Sequence, residues 1–124
     1  MLTNLFAVFI GGGIGSVVRF GISMLMVNYY RTIFPIATLC SNILSCLVLG
    51  LVVYLVGEKL NIEIPMRLLI ITGFCGGFST FSAFSYETVE LIKSGNTIYA
   101  IMNVVISMIV CFGIIFFLTR NIQH

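Results

Sequence analysis

The strongest constraint on the fold is a long uncharged stretch in the second half of the chain. Between Arg67 and Glu87 there is no charged side chain, and this length can cross a membrane as a helix. Its second part, Gly73–Glu87, reads G-F-C-G-G-F-S-T-F-S-A-F-S-Y-E and is rich in glycine and hydroxyl side chains. Glycine weakens a helix, and in hydrocarbon each backbone group released from a helix needs another partner. Discontinuous membrane helices often coordinate ions. The sequence therefore predicts a span broken near its middle that does more than anchor the chain.

Composition extends this interpretation to the whole chain. Hydrophobic residues make up 60% and charged residues 8% of the 124 residues, against about 25% charged in a soluble domain. An ordinary water-soluble fold is therefore excluded, and we expect an all-α membrane protein. It should form one domain, residues 1–124, with four transmembrane helices at about residues 3–27, 33–56, 66–92 and 97–119.

Several other classes of protein are disfavoured. The net charge of +2 comes from scattered residues that form no basic patch, so no nucleic-acid partner is predicted. No cleavable signal peptide is evident. There is no nucleophile–base pair and no phosphate-binding loop, so an enzyme is not expected. The cysteines have no metal-ligand spacing, and we interpret them as small buried hydrophobes rather than as metal ligands or disulfides. They are Cys40, Cys46, Cys75 and Cys111.

The first span contains a glycine cluster and one charge. Gly11 and Gly15 lie four apart, as do Gly12 and Ser16, and small residues at this spacing let helices approach closely. Arg19 has two open interpretations. Its side chain can extend to the membrane surface, or it can place a cation at the mouth of an anion path.

Polar residues in the second and fourth spans also lie on single helix faces. Those of the second span are Thr38, Ser41, Asn42 and Ser45. Hydrogen bonding between helices is the favoured interpretation, and a polar track with Asn42 as an amide donor is the alternative. In the fourth span Asn103 and Ser107 lie four apart.

The charges beside the spans give almost no preference for orientation. Four spans place Lys59, Arg67 and Arg120 on one side and Arg31 and Lys93 on the other. Lysine and arginine in short loops normally set orientation, and three against two decides little. The chain is therefore expected to insert both ways and to form an antiparallel, dual-topology homodimer.

Three functions fit these features. An ion channel for an anion is favoured, because the spans offer hydrogen-bond donors and Arg19 but no carboxylate at mid-depth. The edges of Phe81 and Phe84 could also face an anion, although spacing alone favours simple packing. A small multidrug-resistance-type proton-coupled exporter would need an embedded carboxylate, and Glu87 lies near a span end. A non-transporting membrane assembly subunit is the third possibility.

Three motifs together resemble the Fluc (CrcB-like) fluoride channel family. They are G-G-G-I-G-S-V-V-R-F at Gly11–Phe20, A-T-L-C-S-N at Ala37–Asn42, and the Gly73–Glu87 stretch. The similarity covers the whole chain, and the third motif is the specific one. The chain departs from the family pattern at Ala37 and Ser79.

The resemblance implies a dual-topology homodimer that passively exports fluoride across the plasma (inner) membrane and so lowers fluoride toxicity. It implies a central structural Na⁺ held by the backbone carbonyls of Gly76 and Ser79. The expected partners are fluoride, membrane lipid and a second copy of the chain. The fluoride-pore residues implied by the motifs are Arg19, Asn42, Thr80, Phe81, Ser82, Phe84, Ser85, Glu87 and Ser107. With the surrounding motif matched, the phenylalanine spacing indicates a pore wall.

Overall fold

The computed structural model describes residues 1–29, 33–58 and 61–122. Arg31, Lys59 and His124 lie outside the described residues, and the predicted orientation in the membrane stays a prediction. The described residues form helices and turns with no strand, and four of their helical segments are long and apolar enough to cross a membrane. This confirms the all-α membrane class.

The helices begin and end near the expected positions. Helix α1 is Leu2–Tyr29 and α2 is Ile36–Glu58. The α2 helix begins three residues later than expected, because Pro35 lies directly before it. The Pro35 carbonyl accepts the Leu39 amide at 3.2 Å. The last helix, called α5 here, is Thr97–Thr119.

The third span consists of two helices with an extended link between them. Its first helix, α3, covers residues 64–78: an α-helical turn at Ile64–Arg67, a π-helical stretch at Leu68–Cys75 and a last turn at Gly76–Phe78. Ser79 and Thr80 then adopt extended backbone, with φ/ψ of −79°/155° and −150°/116°. Helix α4, Phe81–Lys93, completes the span.

Side chains and a glycine fix the ends of α4. The Thr80 hydroxyl oxygen accepts the Ala83 amide at 3.2 Å, which is a typical N-cap. At the other end Gly95 has a φ of +86°, and the Asn96 amide donates back to Leu91 at 2.8 Å. A residue with positive φ after the last helical turn is the usual way to end a helix.

Helix α1 packs backbone to backbone against α3. A Cβ atom added to Gly11 would meet the Leu69 carbonyl, and one added to Gly15 would meet the Phe74 carbonyl. Both glycines are buried. The predicted close approach of small residues is therefore confirmed, and α3 is the partner helix.

The remaining helices pack around this pair. Helix α2 contacts α5 extensively and also touches both halves of the third span, while α4 packs on α5. The core contains few large residues, among them Phe78, Phe84 and Leu91. Most large apolar side chains point outward, including Phe9 and Phe116, as expected for a surface in contact with lipid.

Replacing Gly11 by alanine should destabilise the fold, with Gly13→Ala as the matched control. The added methyl group at Gly11 would push α1 away from the Leu69 carbonyl, at a cost of about 1–3 kcal/mol. A Cβ at Gly13 meets nothing within 4 Å, so that variant should unfold like the parent. Thermal unfolding in detergent checks both, and equal midpoints for the two variants would contradict the proposed packing.

Candidate functional site

A cavity of about 300 Å³ lies beside the extended link of the third span. Residues of α2, α5 and the link with the first turn of α4 line it, and none of these lining residues is charged. Its lining is Asn42, Cys46, Ser79, Thr80, Phe81, Phe84, Ser107, Met108, Cys111 and Phe112. Six of these residues belong to the pore and sodium sets expected from the motifs: Asn42, Ser79, Thr80, Phe81, Phe84 and Ser107.

The amide of Asn42 holds the extended link. Its Oδ1 accepts the Thr80 backbone N–H at 2.8 Å, and its Nδ2 donates to the Thr80 carbonyl at 3.4 Å. One side chain thus bonds to both backbone groups of the residue that precedes α4. Nδ2 carries a second N–H, which makes no bond to the described residues.

The same bonds change the partners of two backbone carbonyls. In a continuous helix, the Thr80 amide would donate to the Gly76 carbonyl and the Ala83 amide to the Ser79 carbonyl. Here those amides donate instead to side-chain oxygens of Asn42 and Thr80, at 2.8 and 3.2 Å. The Gly76 and Ser79 carbonyls therefore lose their usual donors, which is a property expected of cation ligands.

Three further side chains bind carbonyls near the end of α3. The Arg19 Nε donates to the Gly77 carbonyl at 3.1 Å. The Ser45 and Ser79 hydroxyls both donate to the Cys75 carbonyl, at 3.0 and 2.7 Å. Arg19 is thus held against the helix end rather than extended to the surface, and its positive charge lies at the negative end of the α3 dipole.

The two phenylalanines expected in a pore wall lie together but differ in burial. The Phe81 and Phe84 ring centroids are 5.8 Å apart, with an angle of 37° between the rings. Phe84 is 7% exposed, whereas Phe81 is 72% exposed. Phe81 therefore presents most of its ring to whatever lies outside this chain.

A chain of hydrogen bonds joins α5 to α4 next to the cavity. The Ser107 hydroxyl donates to Asn103 Oδ1 at 3.5 Å, and Asn103 Nδ2 donates to the Thr88 hydroxyl at 3.0 Å. The Thr88 hydroxyl donates to the Phe84 carbonyl at 2.7 Å. Asn103 is 1% exposed, so this buried chain ties α5 to α4 next to Phe84.

Glu87 is separate from this cavity. Its Oε1 accepts the Thr38 hydroxyl at 2.8 Å, and its Oε2 is buried without a hydrogen-bond partner among the described residues. A second cavity, of about 430 Å³, contains Glu87 and Glu90 in its lining. The carboxylate is half-buried and bonded, so it is not simply a solvated group at the end of a span.

The structure leaves two of the expected hydroxyls outside the cavity. Ser82 is exposed and shares a 3.2 Å hydrogen bond with the Thr80 hydroxyl, and Ser85 is half-buried on the same helix. In the second span, Thr38, Asn42 and Ser45 all bond to the third span, which confirms the favoured interpretation of that polar stripe. Ser41 is fully buried, and its hydroxyl has no partner among the described residues.

Sequence reasoning missed four residues of the cavity lining. They are Cys46, Met108, Cys111 and Phe112. Helical spacing could have identified two of them, because Cys46 lies four residues after Asn42 and Cys111 four after Ser107. The expectation of buried cysteines is correct for Cys75 and wrong for the other three, which are half-buried on helix faces that are only partly covered.

Comparison with known proteins identifies the family. The family described as CrcB-like protein, Camphor Resistance (CrcB), matches residues 6–118. The chain belongs to this family. One relative is a protein of Azobacteroides pseudotrichonymphae genomovar. CFP2 named fluoride-specific ion channel FluC. It is 42% identical over 109 residues, covering 85% of this chain and 87% of the relative. A protein of Serratia proteamaculans with the same name is 43% identical over 108 residues, covering 87% of this chain and 84% of the relative.

Replacing Asn42 by alanine should destabilise the link between α3 and α4. The change leaves the Thr80 N–H without its partner, and an unsatisfied buried N–H costs about 1–3 kcal/mol. Hydrogen exchange of the Thr80 amide should accelerate and the unfolding midpoint should fall. Asn61→Ala, in an exposed connection, is the control. An unchanged Thr80 exchange rate in Asn42→Ala would show that the amide does not hold the link.

Proposed function

We propose that this protein is a fluoride-selective channel that passively exports fluoride across the plasma membrane and so lowers fluoride toxicity in the cell. The observation that carries the proposal is the uncharged cavity in which Asn42, Thr80, Phe81, Phe84 and Ser107 come together beside the extended link. Membership of the CrcB-like family supports it, since relatives at about 40% identity over most of the chain are named fluoride-specific ion channels.

The chemistry of the cavity suits a small, strongly hydrated anion. Such an ion enters only where hydrogen-bond donors and partial positive charges replace its water, and it leaves only if binding is not too strong. The free N–H of Asn42 and the positive edges of Phe81 and Phe84 are groups of this kind. Since no carboxylate lines the cavity, no fixed negative charge repels the ion there.

Arg19 would act at the side of this path. Its Nε donates to the Gly77 carbonyl, and its positive charge there would raise the local potential and favour an anion. Glu87 would lie toward one end of the path, where its bond with Thr38 keeps it in place. Ser82 and Ser85 would extend a hydroxyl track along α4.

The functional unit in this proposal is an antiparallel homodimer. The third span exposes residues that lipid would not favour. Thr72 and Ser82 carry hydroxyl groups, and Gly76 leaves open space beside the backbone, because an added Cβ there would meet nothing within 4 Å. Phe81 is exposed beside them. A second copy packed on this face would cover the hydroxyls, and its Phe81 would complete the wall of each path.

A structural Na⁺ at the centre of the dimer is part of the proposal. The Gly76 and Ser79 carbonyls fit this role, because the amides that would normally bond them donate elsewhere. Oxygen ligands suit a hard cation. The bound ion would supply a fixed positive charge that offsets carbonyl dipoles at the link.

The other candidate functions have weaker support. A proton-coupled exporter requires a carboxylate in the transport cavity, and the cavity beside the link has none in its lining. A non-transporting assembly subunit would not need uncharged hydrogen-bond donors and aromatic edges around one cavity. Neither alternative is suggested by the names of the relatives.

Phe81→Ile or Phe84→Ile should abolish or sharply reduce fluoride efflux while the dimer persists. Isoleucine keeps apolar bulk but removes the positive aromatic edge. Efflux from liposomes, followed with a fluoride electrode, measures the effect. Phe9→Ile is the control, because Phe9 is 78% exposed on α1 and does not line the cavity. Parental flux in both pore variants would refute the aromatic wall.

Removal of Na⁺ should destabilise the dimer. Replacing Na⁺ by a bulky organic cation leaves the carbonyl dipoles at the link without a counter charge, so the unfolding midpoint should fall and the dimer should dissociate more readily. Ser79→Ala should keep this dependence, because the proposed ligand is the carbonyl and the hydroxyl already donates to Cys75. A dimer equally stable with and without Na⁺ would contradict the site.

A further inference from the structure

The cavity beside the link contains sulfur groups that the proposed fluoride path does not use. Cys46 of α2 and Cys111 of α5 both line it, and Met108 lines it beside Cys111. Cys46 lies one helical turn from Asn42, and Cys111 one turn from Ser107. On each of these two facing helices, the cysteine therefore lies on the same face as a polar residue of the cavity.

The two thiols line the same cavity from two different helices. Cys46 belongs to α2 and Cys111 to α5, and these helices lie far apart in the sequence. Both cysteines are free and half-buried. Met108 lines the same cavity and is 37% exposed. Two thiols and one thioether thus share one uncharged, partly enclosed space.

We propose that Cys46, Cys111 and Met108 bind one soft monovalent cation, Cu⁺ or Ag⁺. Thiolate and thioether ligands select such ions over hard cations. A zinc site normally needs four nitrogen, oxygen or thiolate ligands. Among the described residues, no group of three or more histidine, cysteine or acidic side chains could hold a metal ion. Two thiols and one thioether supply three soft ligands, fewer than a zinc site needs, so they suit a soft ion of low coordination number.

Charge balance defines the bound form. The thiolate, not the thiol, is the strong metal ligand, so the entering cation displaces a proton to water as the metal–sulfur bond forms. A complex with one thiolate, one thiol and one thioether is neutral, whereas a second thiolate would leave an uncompensated charge in an apolar site. One proton is released for each ion bound, and no electron is transferred.

The site has a consequence for transport that rests on the proposed function. The ion would occupy the cavity that also contains Asn42, Phe81 and Phe84. It would therefore fill the fluoride path and block efflux without altering the dimer.

Binding of Ag⁺ to the purified, full-length protein tests the site directly. Bound silver per chain is counted after gel filtration, and each thiol is probed with a maleimide and identified by mass spectrometry. We expect one Ag⁺ per chain, with Cys46 and Cys111 protected and Cys40, which does not line the cavity, still reactive. Protection of Cys40 to the same degree, or of neither cavity thiol, would overturn the proposal.

Substitutions identify the ligands. Cys46→Ser and Cys111→Ser should weaken Ag⁺ binding by more than about 100-fold, since losing even a group that orients a metal ligand costs about 10–100-fold. Met108→Leu should weaken it less, and Cys40→Ser should not change it. Cys75 is buried and lies near Cys46, so it is the competing ligand. Loss of binding in Cys75→Ser together with normal binding in Cys111→Ser would overturn the assignment.

Efflux measured in the same liposomes separates this proposal from the proposed function. Fluoride efflux without silver tests the channel alone. Added Ag⁺ should block the parent protein but not the Cys46→Ser/Cys111→Ser double variant, with each protein's own silver-free efflux as its reference. Silver bound at the predicted thiols by a protein that moves no fluoride would leave the site established and the channel function refuted.

Discussion

The hydrogen bonds between Asn42 and the backbone of Thr80 are the interaction on which the rest of the site depends. In extended conformation inside a membrane span, Thr80 has a backbone N–H that lipid cannot satisfy. Asn42 accepts this N–H from the neighbouring helix at 2.8 Å and also donates to the Thr80 carbonyl at 3.4 Å. Without this bridge, continuing the helix through Thr80 would satisfy the N–H. The link then would not exist, and the cavity beside it would lose its lining.

The other features of the fold follow from keeping that link in position. The glycines of α1 bring its backbone against α3, and this close packing places Arg19 within reach of the Gly77 carbonyl. On the opposite side, the Thr80 hydroxyl starts α4, which carries Phe81 and Phe84 in its first turn. Glycine packing, the arginine contact and the helix cap thus act on one short segment. Its backbone carbonyls and aromatic rings are the groups that the proposed function uses.

Much of the fold could be predicted because membrane spans are set by length and by the absence of charge. The close approach of α1 to another helix could also be predicted, since it depends on the spacing of its glycines. The π-helical stretch at Leu68–Cys75 could not, because it depends on how α3 meets its neighbours. The roles of Asn42 and Glu87 were only partly predictable. A sequence shows that an amide or a carboxylate is present, but its hydrogen-bond partners come from other helices.

The sulfur groups are the clearest example of a feature that the sequence alone does not predict. Cys46 and Cys111 have no motif in common and were interpreted from sequence as inert packing residues. Only the packing of α2 against α5 brings both cysteines to the lining of one cavity. The spacing of four residues places Cys46 on the same helix face as Asn42, and Cys111 on the same face as Ser107. No spacing rule, however, shows which face of one helix meets which face of another.

The central claim is that this cavity belongs to a path selective for fluoride. The most direct test is anion efflux from liposomes containing the purified protein, with fluoride and chloride each measured by an ion-selective electrode. Rapid fluoride release with negligible chloride release is the result expected from an uncharged, narrow path lined by hydrogen-bond donors and aromatic edges. Equal release of both anions, or no release of either from correctly folded protein, would contradict it.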